Sequence, residues 1–251
     1  MLKVFLLVLF TIFFSSSSFS NNIEKVSLQL QWLHQFQFAG YYIAKEKGYY
    51  RDVGLEVNIK SFDQTISTVD EVIEYRSEYS IGRSSLLLDR SSGKKIIALA
   101  AIFQSTPLAL LALKDSNINS IKDIINKRVM LTDDALGTTS LRAMLMSKGV
   151  SFSQTKKLKH TLDLNDLIEG KTDLMASYIS NEPYRLKKKG IKSVYFSPKD
   201  YGFKFYGDIL FTSENELLKH PSRVEKFTKA SLKGWNYAFE NIDESVDLSR
   251  Y

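Results

Sequence analysis

The stretch VSLQLQWLHQFQFAGYYIAKEKGYYRDVGLEVNI, residues 26–59, reads as a strand, a helix and a second strand. Apolar and polar residues alternate over residues 26–30, which is typical of a strand with one buried face. Residues 41–47 then predict a short helix that ends at Gly48, and the alternation returns over residues 55–59. Strands joined through a helix favour parallel pairing, so this stretch indicates an α/β fold.

The alternation of strands and helices continues along the sequence. Two apolar runs, residues 95–103 and 108–113, flank the polar linker Gln-Ser-Thr-Pro, where we expect the chain to leave one sheet and enter another. Further strands are predicted over residues 79–81, 129–131, 174–178, 193–196 and 209–212. Helices are predicted over residues 68–75, 84–91, 139–148 and 182–189, from Ser120, and around residues 224–238, with a loop over residues 198–207.

Two successive α/β units predict two lobes with a cleft between them. We expect a first lobe built from residues 21–105 and 203–251, the second of these with the C-terminal helices, and a second lobe built from residues 106–202. Each lobe is expected to hold a central sheet flanked by helices. Ligands of open α/β sheets bind beyond the carboxyl ends of the strands, so the candidate site lies where those ends face the cleft.

The first twenty residues read as a secretory signal peptide. Lys3 precedes an apolar run, and small residues lead to a predicted cleavage near Ser20. The run is too short to span a bilayer comfortably, since spanning takes about 20 apolar residues. We therefore expect a periplasmic or otherwise extracytoplasmic protein.

Composition excludes several classes of function. The sequence contains no cysteine, which rules out disulfides, thiolate metal sites and cysteine nucleophiles. The net charge of +6 is scattered along the chain, so we expect no nucleic-acid partner. His34, His160 and His220 lack metal-ligand spacing, and neither a nucleophile elbow nor a phosphate-binding glycine loop is present. We predict no metal, no cofactor, no catalytic residue and a monomer.

Rings and amides alternate directly after the first predicted strand. Gln31, Gln35 and Gln37 interleave with aromatic residues, and a fully buried run would tolerate these amides poorly because each needs hydrogen-bond partners. Rings beside amides suit a flat heterocycle, through stacking and edge hydrogen bonds. We predict that Trp32, Phe38 and Tyr41 face the cleft. The alternative is that these rings belong to the core.

Two predicted helix starts offer places for an anionic ligand group. Arg83 and Ser84 open one helix, and Thr138, Thr139 and Ser140 open another, where free N–H groups and hydroxyls can bind ligand oxygens. The alternatives are a surface arginine and ordinary helix capping.

Two carboxylates are predicted to accept hydrogen bonds from a ligand amine or protonated ring nitrogen. These are Glu182 and Asp208, and the alternatives are a first-turn helix acid and a charge in solvent. The complete set of candidate ligand-binding residues is Trp32, Phe38, Tyr41, Arg83, Ser84, Gln104, Thr138, Thr139, Ser140, Tyr178, Glu182 and Asp208.

Five segments carry a family resemblance. They are WLHQFQFAGYYIAKEKGYYRDVGLEVNI, GKTDLM, NEPYRLKKKG, YGDILFTSE and FTKASLKGWNYAFEN, which together reach from about residue 26 to the C-terminus. In this order they resemble the thiamine-pyrimidine-synthase-like family of periplasmic substrate-binding proteins. The resemblance implies an α/β fold of the type II periplasmic-binding-protein kind and a small ligand, such as a thiamine pyrimidine precursor, a sulfonate or a nitrate-like solute.

The same family includes a pyrimidine synthase that consumes its own histidine and bound pyridoxal phosphate with iron. The resemblance places Phe38 where that branch carries the histidine, and the cysteine-rich motif of the branch is impossible here. We therefore expect a binding protein for ABC-type uptake, with an inner-membrane permease as partner, rather than an enzyme of thiamine biosynthesis.

The resemblance also leaves a sensory alternative open. Related domains are fused to signalling outputs, so the chain is alternatively the extracytoplasmic ligand-sensing region of a signalling receptor. Tyr251 falls inside what resembles the penultimate helical region of the family, so we expect a C-terminally truncated fragment or gene as a further alternative.

Overall fold

The computed structural model describes residues 23–63, 65–132 and 139–249. The predicted signal peptide, residues 1–20, and the candidate residue Thr138 lie outside this part of the chain. The strands, in chain order, are β1 (Glu24–Gln29), β2 (Leu55–Lys60), β3 (Tyr79–Gly82), β4 (Ile96–Phe103), β5 (Leu108–Leu113), β6 (Arg128–Leu131), β7 (Lys156–Lys159), β8 (Leu174–Tyr178), β9 (Ser193–Phe196) and β10 (Gly207–Ser213).

The helices pack on both faces of these strands. In chain order they are α1 (Ala39–Glu46), α2 (Tyr49–Asp52), α3 (Thr68–Ile73), α4 (Leu86–Ser91), α5 (Thr139–Met146), α6 (Asn165–Ile168), α7 (Glu182–Lys188), α8 (Glu214–Lys219), α9 (Pro221–Glu240) and α10 (Ile242–Leu248). Within the described residues, no helix is long and apolar enough to cross a membrane.

The strands form two five-stranded sheets, which confirms the predicted α/β fold with a central sheet in each lobe. The first sheet has the order β2-β1-β3-β10-β4 and the second the order β7-β6-β8-β5-β9. In the first, β1 pairs parallel with β2 and β3, as the opening strand–helix–strand stretch predicts, and β10 pairs antiparallel with β3 and β4. Below, the first lobe means the first sheet with its helices, and the second lobe means the second sheet with its helices.

The chain passes between the sheets twice, at neighbouring points. It leaves the first sheet between β4 and β5 and returns between β9 and β10. The two crossings touch, since the Thr106 backbone N–H donates to the Phe205 carbonyl at 2.7 Å. A Cβ on Gly207 would lie 3.1 Å from Thr106 Cα, so a glycine suits this close approach. The predicted residue boundaries of the lobes remain a prediction.

The core of the first lobe forms where α9 docks on α1 and the sheet. The apolar stripe predicted around residues 224–238 buries Val224, Phe227 and Trp235 against the first sheet and its helices. Phe227 stacks on Tyr79 with ring centroids 3.7 Å apart. Gly234 permits the close approach of the helices, because a Cβ there would collide with the Gly40 carbonyl and lie 2.7 Å from Ala44 Cβ.

Some local features of the structure differ from the sequence-based expectations. The helix expected from Ser120 is a single 3₁₀ turn, Ile121–Ile124, because the backbone leaves the helical conformation at Ile125 and is left-handed at Asn126. Strand β7 was not predicted, since its sequence KKLK lacks an apolar alternation and it pairs at an edge of the second sheet. The predicted loop over residues 198–207 begins with a 3₁₀ turn, Pro198–Tyr201.

Candidate functional site

Polar side chains from both lobes meet beyond the strand ends. Gln31 follows β1 and Arg83 follows β3 in the first lobe, while Tyr178 ends β8 in the second. Asp208, in β10, lies between them with a left-handed backbone (φ 45°), which Asp tolerates better than most residues. All four side chains are buried, so their polar atoms depend on each other for hydrogen bonds.

The Tyr178 hydroxyl joins the two lobes directly. It donates to Asp208 Oδ1 at 2.8 Å and accepts from Gln31 Nε2 at 3.1 Å and from Arg83 Nε at 3.3 Å. One donor and two acceptor positions fill the capacity of a phenol oxygen. All three partners belong to the first lobe, so opening the lobes would remove every one of these hydrogen bonds.

Asp208 is the acceptor at the centre of this network. Gln31 Nε2 donates to Oδ1 at 2.6 Å, and Gln37 Nε2 donates to Oδ2 at 2.8 Å. Burial raises the pKa of the Asp208 carboxyl to about 6, against the opposing effect of its hydrogen bonds and of Arg83. The carboxylate is therefore charged at neutral pH and takes up a proton under mildly acidic conditions.

Glu182 holds the start of α7 against the end of β8. Its Oε2 accepts from the Tyr178 backbone N–H at 2.8 Å, and its Oε1 accepts from Asn181 Nδ2 at 2.9 Å. Burial raises the pKa of the Glu182 carboxyl. Asn181 Nδ2 also donates to Gln35 Oε1 at 2.8 Å, a second contact between the lobes. Both predicted carboxylates thus already accept hydrogen bonds from the protein itself.

Trp32 spans the interface between the lobes. Its indole lies nearly parallel to the Phe62 ring, with centroids 6.2 Å apart, and meets the His160 ring of the second lobe edge-on at 5.3 Å. His160 is fixed at both nitrogens, since the Leu162 N–H donates to Nδ1 and Nε2 donates to the Ala176 carbonyl, each at 2.9 Å. Burial lowers the pKa of the imidazole, so the His160 ring is neutral. Its two hydrogen bonds hold the ring in place beside Trp32.

Two cavities lie between the lobes. The outer cavity has a volume of about 610 Å³ and the inner cavity about 20 Å³. Arg83 and Thr132 border both. Gln31, Phe62 and His160 border the outer cavity. Among the residues that border the inner cavity are Trp32, Gln35, Gln37, Ser177, Tyr178 and Glu182. The outer volume falls within the roughly 300–1,000 Å³ typical of small-molecule sites.

The structure brings part of the predicted site together. Trp32, Arg83, Tyr178 and Glu182 border at least one cavity, and Asp208 lies behind Tyr178. The expectation that Phe38 and Tyr41 face the cleft is wrong. Both are completely buried in the core of the first lobe, where α1 turns them toward the sheet and α9, and the Tyr41 ring meets Trp235 edge-on.

The remaining described candidates are not among the residues that border the outer or the inner cavity. Gln104 is exposed and donates to the Ala101 carbonyl of the preceding strand, β4, outside the described walls of either cavity. Ser84 is buried beside Arg83. Thr139 and Ser140 begin α5, and neither hydroxyl has a hydrogen-bond partner within the described residues. Thr138 lies outside those residues, so its prediction stands without a structural account.

Several cavity residues escape the sequence-based prediction. Gln31, Gln35 and Gln37 carry a signal in the sequence, since amides between rings need hydrogen-bond partners, but they are not among the predicted site residues. Phe62, Thr132 and His160 carry no such signal in the sequence, because each becomes a wall of the cavity only when the second lobe packs against the first.

A family model described as NMT1/THI5 like matches residues 35–245. The chain belongs to the NMT1/THI5 like family. It is 24% identical to a formylaminopyrimidine-binding protein of Halalkalibacterium halodurans, over 98% of this chain and 77% of that protein. It is 26% identical to the riboflavin-binding protein RibY of Chloroflexus aurantiacus, over 90% of this chain and 66% of that protein.

A solved structure shares the fold of this family member. The alkanesulfonate-binding protein SsuA from Xanthomonas axonopodis pv. citri, bound to MOPS, superposes with a TM-score of 0.73 at 12% identity, covering 90% of this chain and 78% of that one. At this identity the likeness concerns the fold alone. It confirms the periplasmic-binding-protein fold expected from the resemblance.

Proposed function

We propose that this NMT1/THI5 like protein is an extracytoplasmic solute-binding protein that closes its lobes on a small heterocycle and presents it to an ABC-type permease. Family membership and the names of the two binding-protein relatives support this function. The location rests on the predicted signal peptide, residues 1–20.

The observation that carries the proposal is the outer cavity between the lobes, beside the Tyr178 network. A ligand there contacts both lobes, and only a ligand that prefers the closed state shifts the population toward it. In the outer cavity Phe62 offers an aromatic face near the buried Gln31 amide, which suits a flat ring with polar edges, and the Trp32 indole lies nearly parallel to Phe62. The direct contacts between the lobes through Tyr178 and Asn181 favour closure before a ligand arrives.

A thermal-shift screen tests the proposal on protein purified after export. Aminopyrimidines, riboflavin, thiamine, alkanesulfonates and nitrate are added over a range of concentrations, because a ligand that binds the folded state raises the Tm by mass action. We expect a pyrimidine or a flavin to raise the Tm in a saturable way. A protein whose Tm responds to none of these solutes would contradict the proposed function.

Trp32→Ala serves as the matched variant in that screen. Loss of the indole removes the ring that contacts Phe62 and His160, two walls of the outer cavity, while leaving the buried cores of both lobes intact, because Trp32 is only half-buried. We expect the ligand-induced rise in Tm to shrink strongly and the Tm without ligand to change by only a few degrees. An unchanged ligand response in Trp32→Ala would place the binding site elsewhere.

A further inference from the structure

The positive charge, which is scattered along the sequence, is concentrated in one lobe of the fold. Residues 108–196, from β5 to β9, contain 15 Lys and Arg against 9 Asp and Glu, a net charge of +6. The rest of the chain after residue 20 contains 18 Lys and Arg against 19 Asp and Glu, a net charge of −1. A negatively charged partner is therefore attracted to the second lobe and not to the first.

A group of lysines lies at one edge of the second lobe. Below, the basic edge means the end of α7 and the turn into β9, with Lys187, Lys188, Lys189 and Lys192. All four are exposed, and none forms an ion pair within the described residues. The neighbouring turn adds one lysine and one aspartate, Lys114 and Asp115, so the excess of positive charge is unchanged.

Two exposed tyrosines accompany these lysines. Tyr184 is on α7, with the Lys188 ammonium 5.5 Å from its ring centroid. Tyr195, in β9, pairs across the strands with Leu111, which packs in the same apolar cluster as Leu186 of α7. Opposed residues of an antiparallel pair point to the same face of a sheet, so the Tyr195 ring lies on the side that α7 covers. The basic edge thus combines ammonium groups with exposed rings.

Local structure accounts for only part of this arrangement. Cations in the last turn of a helix are stabilised by its dipole, which accounts for Lys187 and Lys188 but not for Lys192. Lysines on an open edge strand discourage pairing with other chains, which accounts for the sequence KKLK of β7 at the opposite edge of the sheet. Neither effect requires exposed tyrosine rings beside the lysines.

We propose that the basic edge binds the surface of an anionic phospholipid membrane. Ammonium groups attract the lipid phosphates, and each lysine near such a surface strengthens binding about fivefold. Tyrosine suits the boundary between water and lipid because its ring is apolar and its hydroxyl is polar. An acidic protein surface would match the lysines alone, whereas the rings favour the membrane, where tyrosine is enriched.

The membrane contact is separate from the cavities between the lobes. No lysine or tyrosine of this surface borders the outer or the inner cavity, apart from any residue that the structure does not describe. Binding there would keep the protein close to the permease and raise its local concentration. This benefit rests on the proposed function, whereas the lipid contact depends only on the charges and rings of the surface.

Co-sedimentation with phospholipid vesicles tests the proposal on protein purified after export. Vesicles of phosphatidylcholine are compared with vesicles that contain phosphatidylcholine and phosphatidylglycerol in equal amounts. We expect binding to the anionic vesicles only. This binding should be lost between about 0.1 M and about 1 M salt, because the Debye length shortens from about 10 Å to about 3 Å.

The triple variant Lys187→Gln, Lys188→Gln and Lys189→Gln should bind the anionic vesicles about a hundredfold more weakly. The matched control, Lys122→Gln, Lys156→Gln and Lys157→Gln, changes three exposed lysines of the same lobe, two of them in β7 at the opposite edge of the sheet. Its net charge is identical, so we expect it to bind less than about fivefold more weakly than wild type. Circular dichroism confirms that both variants are folded.

The double variant Tyr184→Ser and Tyr195→Ser keeps every charge. It should bind the anionic vesicles about tenfold more weakly, because less apolar surface reaches the lipid. No change in this variant would overturn the choice of a membrane over an acidic protein.

Three other results would also overturn the proposal. They are no binding to anionic vesicles, an equal loss in the two triple variants, and binding to poly-glutamate without binding to vesicles, which would identify an acidic polypeptide as the partner. The thermal-shift screen keeps the proposed function distinguishable, since neither triple variant changes a described wall of the cavities and both should respond to ligand like wild type.

Discussion

The Asp208→Asn substitution should change how the stability of the protein depends on pH. Asp208 is completely buried, and burial raises its pKa from an ordinary value of 3.8 to about 6. Between these values the folded protein holds a proton that the unfolded chain releases. The raised pKa therefore stabilises the folded state at low pH, and this contribution is lost as the pH rises through 6.

The size of the effect follows from the shift in pKa. About two pKa units at 1.36 kcal/mol each correspond to about 3 kcal/mol of unfolding free energy. We expect the unfolding free energy of the wild-type protein, relative to Asp208→Asn, to fall by about this amount between pH 4 and pH 7. An amide has no proton to lose, so the variant lacks this dependence.

Urea unfolding at several pH values measures the difference directly, with circular dichroism confirming the native state at each pH. Asp63→Asn provides a control of opposite sign. The Asp63 carboxylate accepts from the Thr65 N–H and hydroxyl, each at 2.8 Å, and these hydrogen bonds lower its pKa. Its contribution should therefore be present above the unfolded pKa and disappear as the pH falls. Parallel pH curves for wild type and Asp208→Asn would refute the reasoning about burial.

Two further predictions concern the lobes. Tyr178→Phe removes three hydrogen bonds between the lobes, worth about 1–3 kcal/mol net. Small-angle scattering of this variant without ligand should therefore show a larger radius of gyration than that of the wild-type protein. Tyr184→Phe, which changes an exposed ring of the same lobe, should scatter like wild type. Gly234→Ala forces a methyl group against the Gly40 carbonyl, so the unfolding free energy should fall by about 1–3 kcal/mol or more, whereas an unchanged Tm would contradict the close packing of α1 on α9.

Most strands and helices could be predicted from the spacing of apolar residues along the sequence, because most of these elements show a single, consistent pattern. The alternation in residues 26–30 and 55–59 predicted a parallel pair, and the structure pairs Val26 with Val57 in that way. β7 was missed because an edge strand with the sequence KKLK carries no apolar alternation. Its position comes from pairing with β6, which is a tertiary contact.

The site was harder to predict because side-chain direction decides it. Phe38 and Trp32 both belong to the aromatic stretch after β1, yet the turn into α1 buries Phe38 in the core and leaves Trp32 between the lobes. Composition alone does not distinguish them. The glutamines of this stretch indicate the site better than its rings do, since Gln31 and Gln37 both donate to Asp208, which lies more than 170 residues away in the sequence.

The central claim is that the ligand lies between the two lobes. A crystal structure with the tightest-binding solute of the thermal-shift screen tests this claim most directly. We expect density in the outer cavity, against Phe62 of the first lobe and His160 of the second, with contacts to residues of both lobes. A ligand bound within a single lobe or on the outer surface, with the outer cavity empty, would contradict the account.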